Sequence, residues 1–220
     1  MIIPAWTTLA IFAAILWACV NVIDKIIITN HLNYKQIFMF SPVKIVLMLP
    51  LLFFFDLSIS PFLAILAMIL GVLSSFSIIF YYQALRQGEV SRLAPLFSFT
   101  PLFVGLFSAI FLSEVFTLKS YFGLFLLVLG ASLISYEHSK QEKFNKKAIG
   151  FLFLSILLFA IFDVFLKHFM GFVSPFAAFF YSFVGSLIFI SAVFWITEDK
   201  KEFFSKIKNP RLLALLLLSS

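Results

Sequence analysis

Nearly uncharged apolar runs follow one another along almost the whole chain. They lie near 6–28, 36–55, 62–84, 93–112, 121–136, 149–169 and 174–196, and an eighth begins at Pro210. About 20 apolar residues are enough for a helix to cross the hydrocarbon core of a bilayer. Inside hydrocarbon each backbone N–H and C=O must find a protein partner, so separate runs of this length dictate helices. The chain is 63% hydrophobic and 12% charged, against about half and a quarter in soluble domains. A soluble core formed from 220 residues could not hide that much apolar side chain. The fold class expected is therefore an all-α multi-pass protein of the cell (inner) membrane, with the lipid bilayer as solvent. Connections such as 56–60 and 86–92 are short, which favours antiparallel neighbours and a bundle.

The net charge of +6 fits cationic loops facing an anionic leaflet. The basic residues are spread over several loops rather than gathered in one aromatic-interleaved patch, so nucleic acid is not an expected partner. Cys19 is the single cysteine; no internal disulfide can form, and its apolar surroundings predict a packing role. Residues 1–12 lack the basic start of a signal peptide and read as the beginning of a retained span. No H-E-x-x-H, G-x-S-x-G or Walker A pattern occurs, and His31, His138 and His168 have no metal-ligand spacing. An enzyme, a metal site and a cofactor are not expected.

An internal repeat organises the chain. ILWACVNVIDK (15–25) aligns with LLFAIFDVFLK (157–167), placing Trp17 on Phe159, Asn21 on Asp163 and Lys25 on Lys167. FMFS (38–41) then aligns with FFYS (179–182), and SPFLAILAMILG (60–71) with NPRLLALLLLSS (209–220). The common order of the three matches carries more weight than any one of them. Unit one is 1–137, with five helices; unit two is 146–220, with two helices and the start of a third. The second unit thus reads as truncated, lacking a counterpart of 72–136. The final run, PRLLALLLLSS, is too short at about 1.5 Å per residue to cross a core of about 30 Å. Five helices is an odd number, so unit two would enter from the opposite side of the membrane. Inverted repeats of this kind suit alternating access.

Residues 81–135 resemble the third to fifth helices of EamA-type transporters of the drug/metabolite transporter superfamily. The likeness is carried by Ala84–Leu85, by the G-x-x-S-R-x-A-P-L run from Gly88 to Leu96, and by Pro101–Leu102. Ser113–Glu114 before Thr117 continues it, where the family usually has Gly–Glu, and Gly123 to Gly130 with Ala131 and Ser132 closes it. Leu16–Trp17 and Asn21 extend it to the first helix. The resemblance implies a ten-helix carrier of two inverted five-helix repeats, moving small metabolites or drugs through a central cavity without metal or nucleotide. If the second unit is short, a homodimer or a complementing chain would supply the remaining helices. The reading from another class is a non-transporting fragment or a membrane interaction subunit of such a carrier.

An ionisable group inside a span costs roughly 2.5–3.5 kcal/mol on insertion scales, so each needs a reason. Lys44 either faces the cavity, pairing an anionic group of the solute, or snorkels to the interface. Asp163 has Lys167 at i+4, the order that favours a local ion pair; the other reading is a proton- or substrate-coupled carboxylate. Asn21 offers a polar wall or an interhelical hydrogen bond. Asp24 and Lys25 are expected at the membrane edge. Trp17 lines the pathway or anchors its helix, and Tyr81 and Tyr82 read as an interfacial belt, with Tyr82 a candidate for the cavity mouth. Ser98 and Tyr181 complete the candidate wall. Glu114 reads as fixing its turn. The small pairs Gly71/Ser75 and Gly105/Ala109 permit close helix approach. Pro95 is expected in a first helical turn, where proline is cheap. Pro101 is expected deeper, freeing the Phe97 carbonyl near Ser98 and Thr100 and kinking the helix.

Basic residues concentrate in the odd-numbered connections, as with Arg86, Arg92, Lys146 and Lys147, against Lys119 and Lys167 on the other side. The positive-inside rule then makes those connections cytoplasmic and the N-terminus external. The family resemblance implies cytoplasmic termini instead. The charge distribution is the basis preferred here.

Overall fold

A computed structural model describes residues 5–30, 50, 56–139, 145–197, 205–206 and 208–219. Lys44 and the expected span 36–55 lie outside the described residues. The elements are α1 (Ala5–Asn30), α2 (Pro61–Gln87), α3 (Val90–Phe97), α4 (Thr100–Leu112), α5 (Leu118–Ser139), α6 (Lys146–Phe169), α7 (Pro175–Thr197) and α8 (Pro210–Ser219). Five segments among the described residues are long and apolar enough to cross a membrane: Thr7–Asn30, Pro61–Gln87, Leu93–Leu112, Lys146–Phe169 and Pro175–Ile196. The all-α multi-pass expectation holds.

Helix α2 is the centre of the bundle, packed on α6 and α7, while α4 also packs on α6, α3 on α5 and α1 on α8. Two clusters of buried side chains mark the ends. One joins Ile27 and Ile28 of α1 to Leu85 of α2, Leu152 of α6, Phe194 of α7 and Leu216 of α8. The other joins Ala67 of α2 to Phe162 and Leu166 of α6 and Ala178 of α7. These contacts make α6 antiparallel to α2, and α1 and α7 parallel to it. The first end carries Arg86, Lys146 and Lys147; the second carries Lys119 and Lys167.

Between the two clusters the buried stripe of α2 is small and polar, while large apolar side chains of the same helix point outward. Ala67, Gly71, Ser75 and Ser77 of α2 are buried, as Phe62, Ile65 and Ile69 of the same helix are exposed. Lipid tails are as apolar as leucine, so helices in a bilayer gain little by hiding leucine from them. They gain by backbone approach and by hydrogen bonds between helices. At the α2–α7 seam a Cβ on Gly71 would lie 1.8 Å from the Ser182 carbonyl oxygen, and one on Gly185 would lie 2.2 Å from that of Met68. The Ser75 hydroxyl donates to Ser186 Oγ at 2.8 Å across this seam. Ser77 Oγ donates to the Ser155 carbonyl at 2.8 Å and joins α2 to α6. Gly71/Ser75 is therefore a site of close packing. Gly105 is not, because its nearest neighbour stands 3.4 Å from a would-be Cβ, an ordinary contact.

The run 93–112 is two helices, not one kinked helix. α3 starts early, behind an extended Glu89, so Pro95 lies inside it rather than in its first turn. Ser98 and Phe99 break the helix while staying right-handed, and Pro101 sits in the first turn of α4. Ser98 N–H bonds the Pro95 carbonyl and Phe99 N–H the Leu96 carbonyl, each at 3.0 Å, which is the tighter i→i+3 pattern. Pro101 has no N–H for the Phe97 carbonyl; the Thr100 hydroxyl takes its place at 2.7 Å. The kink expected at Pro101 is thus a break that Pro101 restarts.

At the other end of α4, Ser113 adopts φ 53° and ψ 31°, the left-handed cap conformation. Glycine reaches it without a Cβ penalty. Ser113→Gly is expected to stabilise the protein by about 1 kcal/mol, the left-handed penalty less the freedom glycine adds to the unfolded chain. Thermal unfolding in detergent measures it.

Candidate functional site

Helices α1, α3, α4 and α6 line an open-sided cavity of about 790 Å³. Trp17 and Asn21 face it from α1, Phe97 from the end of α3, Ser98 from the break, Pro101 from α4 and Asp163 from α6. Five of the eight residues singled out from the sequence, Trp17, Asn21, Ser98, Pro101 and Asp163, therefore line one space. They come together because the α3–α4 break ends a helix opposite the midpoint of α6, and because α1 lies beside α3. The rest of the wall is mostly apolar, including Val22, Ala94 and Val104.

The other candidates stand elsewhere. Tyr181 is half-buried, packs on the end cluster of Ala67 and Phe162 and meets Phe180 edge-on, away from the cavity. Tyr82 is buried, and its hydroxyl donates to Asp24 Oδ2 at 2.7 Å. Tyr81, equally buried, donates to Asn21 Oδ1 at 2.8 Å. The two tyrosines are thus not an interfacial belt; they fasten α2 to α1. Asp24 is 4% exposed, shielded within the protein near the end of α1. A phenol that meets a buried carboxylate stabilises both, and this pairing turns the ring inward to protein instead of outward to lipid. Tyr82→Phe removes this donor and is expected to cost about 1–3 kcal/mol, read as a lower unfolding temperature with Tyr181→Phe as the near-neutral control.

Lys25 caps a helix end. Its ammonium donates to the carbonyls of Leu85 and of Gly88, the latter at 2.8 Å, while Asn145 Nδ2 donates to the Gln87 carbonyl at 2.8 Å. Leu85 and Gln87 are in the last turn of α2 and Gly88 caps it, where carbonyls have no partner within the helix, and a cation there also meets the negative end of the helix dipole. Cys19, expected to pack, is exposed on α1.

The expected Asp163–Lys167 pair does not form. Lys167 Nζ instead meets Glu114 Oε2 at 2.7 Å, joining the ends of α6 and α4. Glu114 thus does more than fix its own turn. Both side chains remain substantially exposed, so this pair is worth at most about 1 kcal/mol. Its consequence is geometric: Asp163 is left facing the cavity without its neighbouring cation.

A model of the EamA-like transporter family matches residues 4–136. The chain belongs to the EamA-like transporter family. The family is part of the drug/metabolite transporter superfamily, so this EamA-like chain is a membrane transporter of that type rather than an enzyme. No curated protein matches it. The matched segment contains four of the five cavity residues singled out from the sequence; Asp163, from the opposite wall, lies beyond it.

Proposed function

We propose that this EamA-like chain is a secondary carrier of small metabolites or drug-like solutes across the cell membrane. The solute passes through the cavity between α1, α3, α4 and α6 by alternating access. The observation that carries the reading is the convergence of Trp17, Asn21, Ser98, Pro101 and Asp163 on one cavity of about 790 Å³. Drug-sized ligands occupy sites of about 300–1,000 Å³ that are mostly apolar, with a few placed polar groups. Two units, 1–137 and 146–220, related by inversion, supply the rocking halves. The antiparallel course of α6 and α1, their opening helices, supports this.

Transport is coupled to a proton or an exchanged solute, with Asp163 as the coupling carboxylate. Among the described lining residues, α1, α3 and α4 present no charged side chain to it, only the polar Asn21, Ser98 and Thr100. On α6 itself Lys167 is engaged by Glu114. Uptake of a radiolabelled solute panel into proteoliposomes tests the reading. Ala94→Trp, which fills the cavity from an exposed small position, is expected to reduce uptake of the transported solute tenfold or more. Unchanged uptake with a folded variant contradicts the path.

A further inference from the structure

The cavity wall has a specific electrostatic character. Among its described residues Asp163 carries the one formal charge. The other polar groups are largely spoken for: Asn21 Oδ1 accepts from Tyr81, and the Thr100 hydroxyl donates to the Phe97 carbonyl. None of the described residues pairs with the Asp163 carboxylate as a cation, because Lys167, one turn further along α6, is held by Glu114. The cavity that carboxylate shares is otherwise lined largely by aromatic and aliphatic side chains, among them Trp17, Phe97, Val22 and Val104.

A carboxylate in an apolar chamber has a large unmet demand for positive charge and excludes anions. Aromatic faces add attraction for a cation whose charge is diffuse or weakly hydrated. A single acid matches a single positive charge. We propose that the cavity takes an organic monocation, an ammonium or phosphonium group borne on an apolar or aromatic body. This specifies the solute of the carrier proposed above and rests on that reading for the place of binding. The charge sits at Asp163, and the body lies against Trp17 and Phe97.

Two probes of nearly equal shape and opposite charge separate the classes: tetraphenylphosphonium and tetraphenylborate. Equilibrium dialysis of each against the purified full chain in detergent is expected to show saturable binding of the phosphonium and none of the borate. Asp163→Asn should weaken phosphonium binding at least tenfold, while Asp163→Glu keeps most of it. Thermal unfolding of both variants shows that they remain folded, and Trp17→Ala should weaken binding severalfold without touching the charge.

Phosphonium binding that is unchanged in folded Asp163→Asn overturns the proposal. So does borate bound as tightly as phosphonium, including borate binding that Lys44→Met removes. Uptake of some solute that Ala94→Trp blocks, in a chain that binds no phosphonium, overturns the charge class and leaves the transport path standing. Phosphonium binding weakened by Asp163→Asn but intact in Ala94→Trp overturns both, because it places the ligand outside the cavity.

Discussion

Gly71→Ala is expected to lose the folded protein, or to cost about 3 kcal/mol or more where it is retained, the upper part of the range for overpacking a close-packed core. The new methyl would lie 1.8 Å from the Ser182 carbonyl oxygen and the Ser186 N–H is only 2.9 Å away. Those are backbone atoms of α7, which cannot swing aside as a side-chain tip can. Relief would require α2 and α7 to separate, and separation would stretch the 2.8 Å hydrogen bond between Ser75 and Ser186. Gly185→Ala should behave likewise, its methyl falling 2.2 Å from the Met68 carbonyl oxygen. Gly123→Ala, with no atom within 4 Å of the added carbon, should be neutral or slightly stabilising through helix propensity. Size-exclusion profiles and unfolding temperatures of the three variants decide it. A well-folded Gly71→Ala with an unchanged unfolding temperature would contradict the seam.

Asp163→Asn is expected to abolish proton-driven accumulation of the transported solute, by tenfold or more, and leave the fold intact. The two effects have one cause. A carboxylate in a mostly apolar wall is costly to keep charged and can be neutralised by a proton or by a cationic solute. Asparagine fills nearly the same volume and binds neither. Because the amide avoids the cost of an ionised group in that wall, the unfolding temperature should stay level or rise. Accumulation in proteoliposomes under an imposed proton gradient, together with the unfolding temperature, measures both. Gradient-driven accumulation that survives Asp163→Asn would show that another group carries the coupling.

Much of the architecture was legible because a bilayer leaves few choices. Apolar length sets the helices, and the segments Pro61–Gln87, Lys146–Phe169 and Pro175–Ile196 lie close to the runs read from the sequence. Amide and carboxylate side chains inside such runs are rare, so Asn21 and Asp163 stood out, and both line one cavity with Ser98. Pairings were not legible. The i,i+4 rule offered Lys167 to Asp163, yet a tertiary partner 53 residues away takes it. Tyr82 looked interfacial because aromatic belts are common, and only the fold reveals the buried Asp24 opposite it. Pro95 was misplaced because the helix starts at Val90, before the apolar run, with the polar Ser91 and Arg92 already helical. The α7 half of the seam had a signal that could have been found: Ser182, Gly185 and Ser186 are small residues at helical spacing, facing Gly71 and Ser75.

The most direct test of the transport path is the solvent access of Ser98, at the break between α3 and α4. Cys19 is the single natural cysteine, so Ser98→Cys in a Cys19→Ser background gives one thiol on the cavity wall. In proteoliposomes a membrane-impermeant maleimide is expected to label it from an aqueous side. Transported solute should slow that labelling, and uptake should fall in proportion to the fraction labelled. A thiol that no aqueous reagent reaches from either side, or full labelling with undiminished uptake, would contradict the cavity as the route.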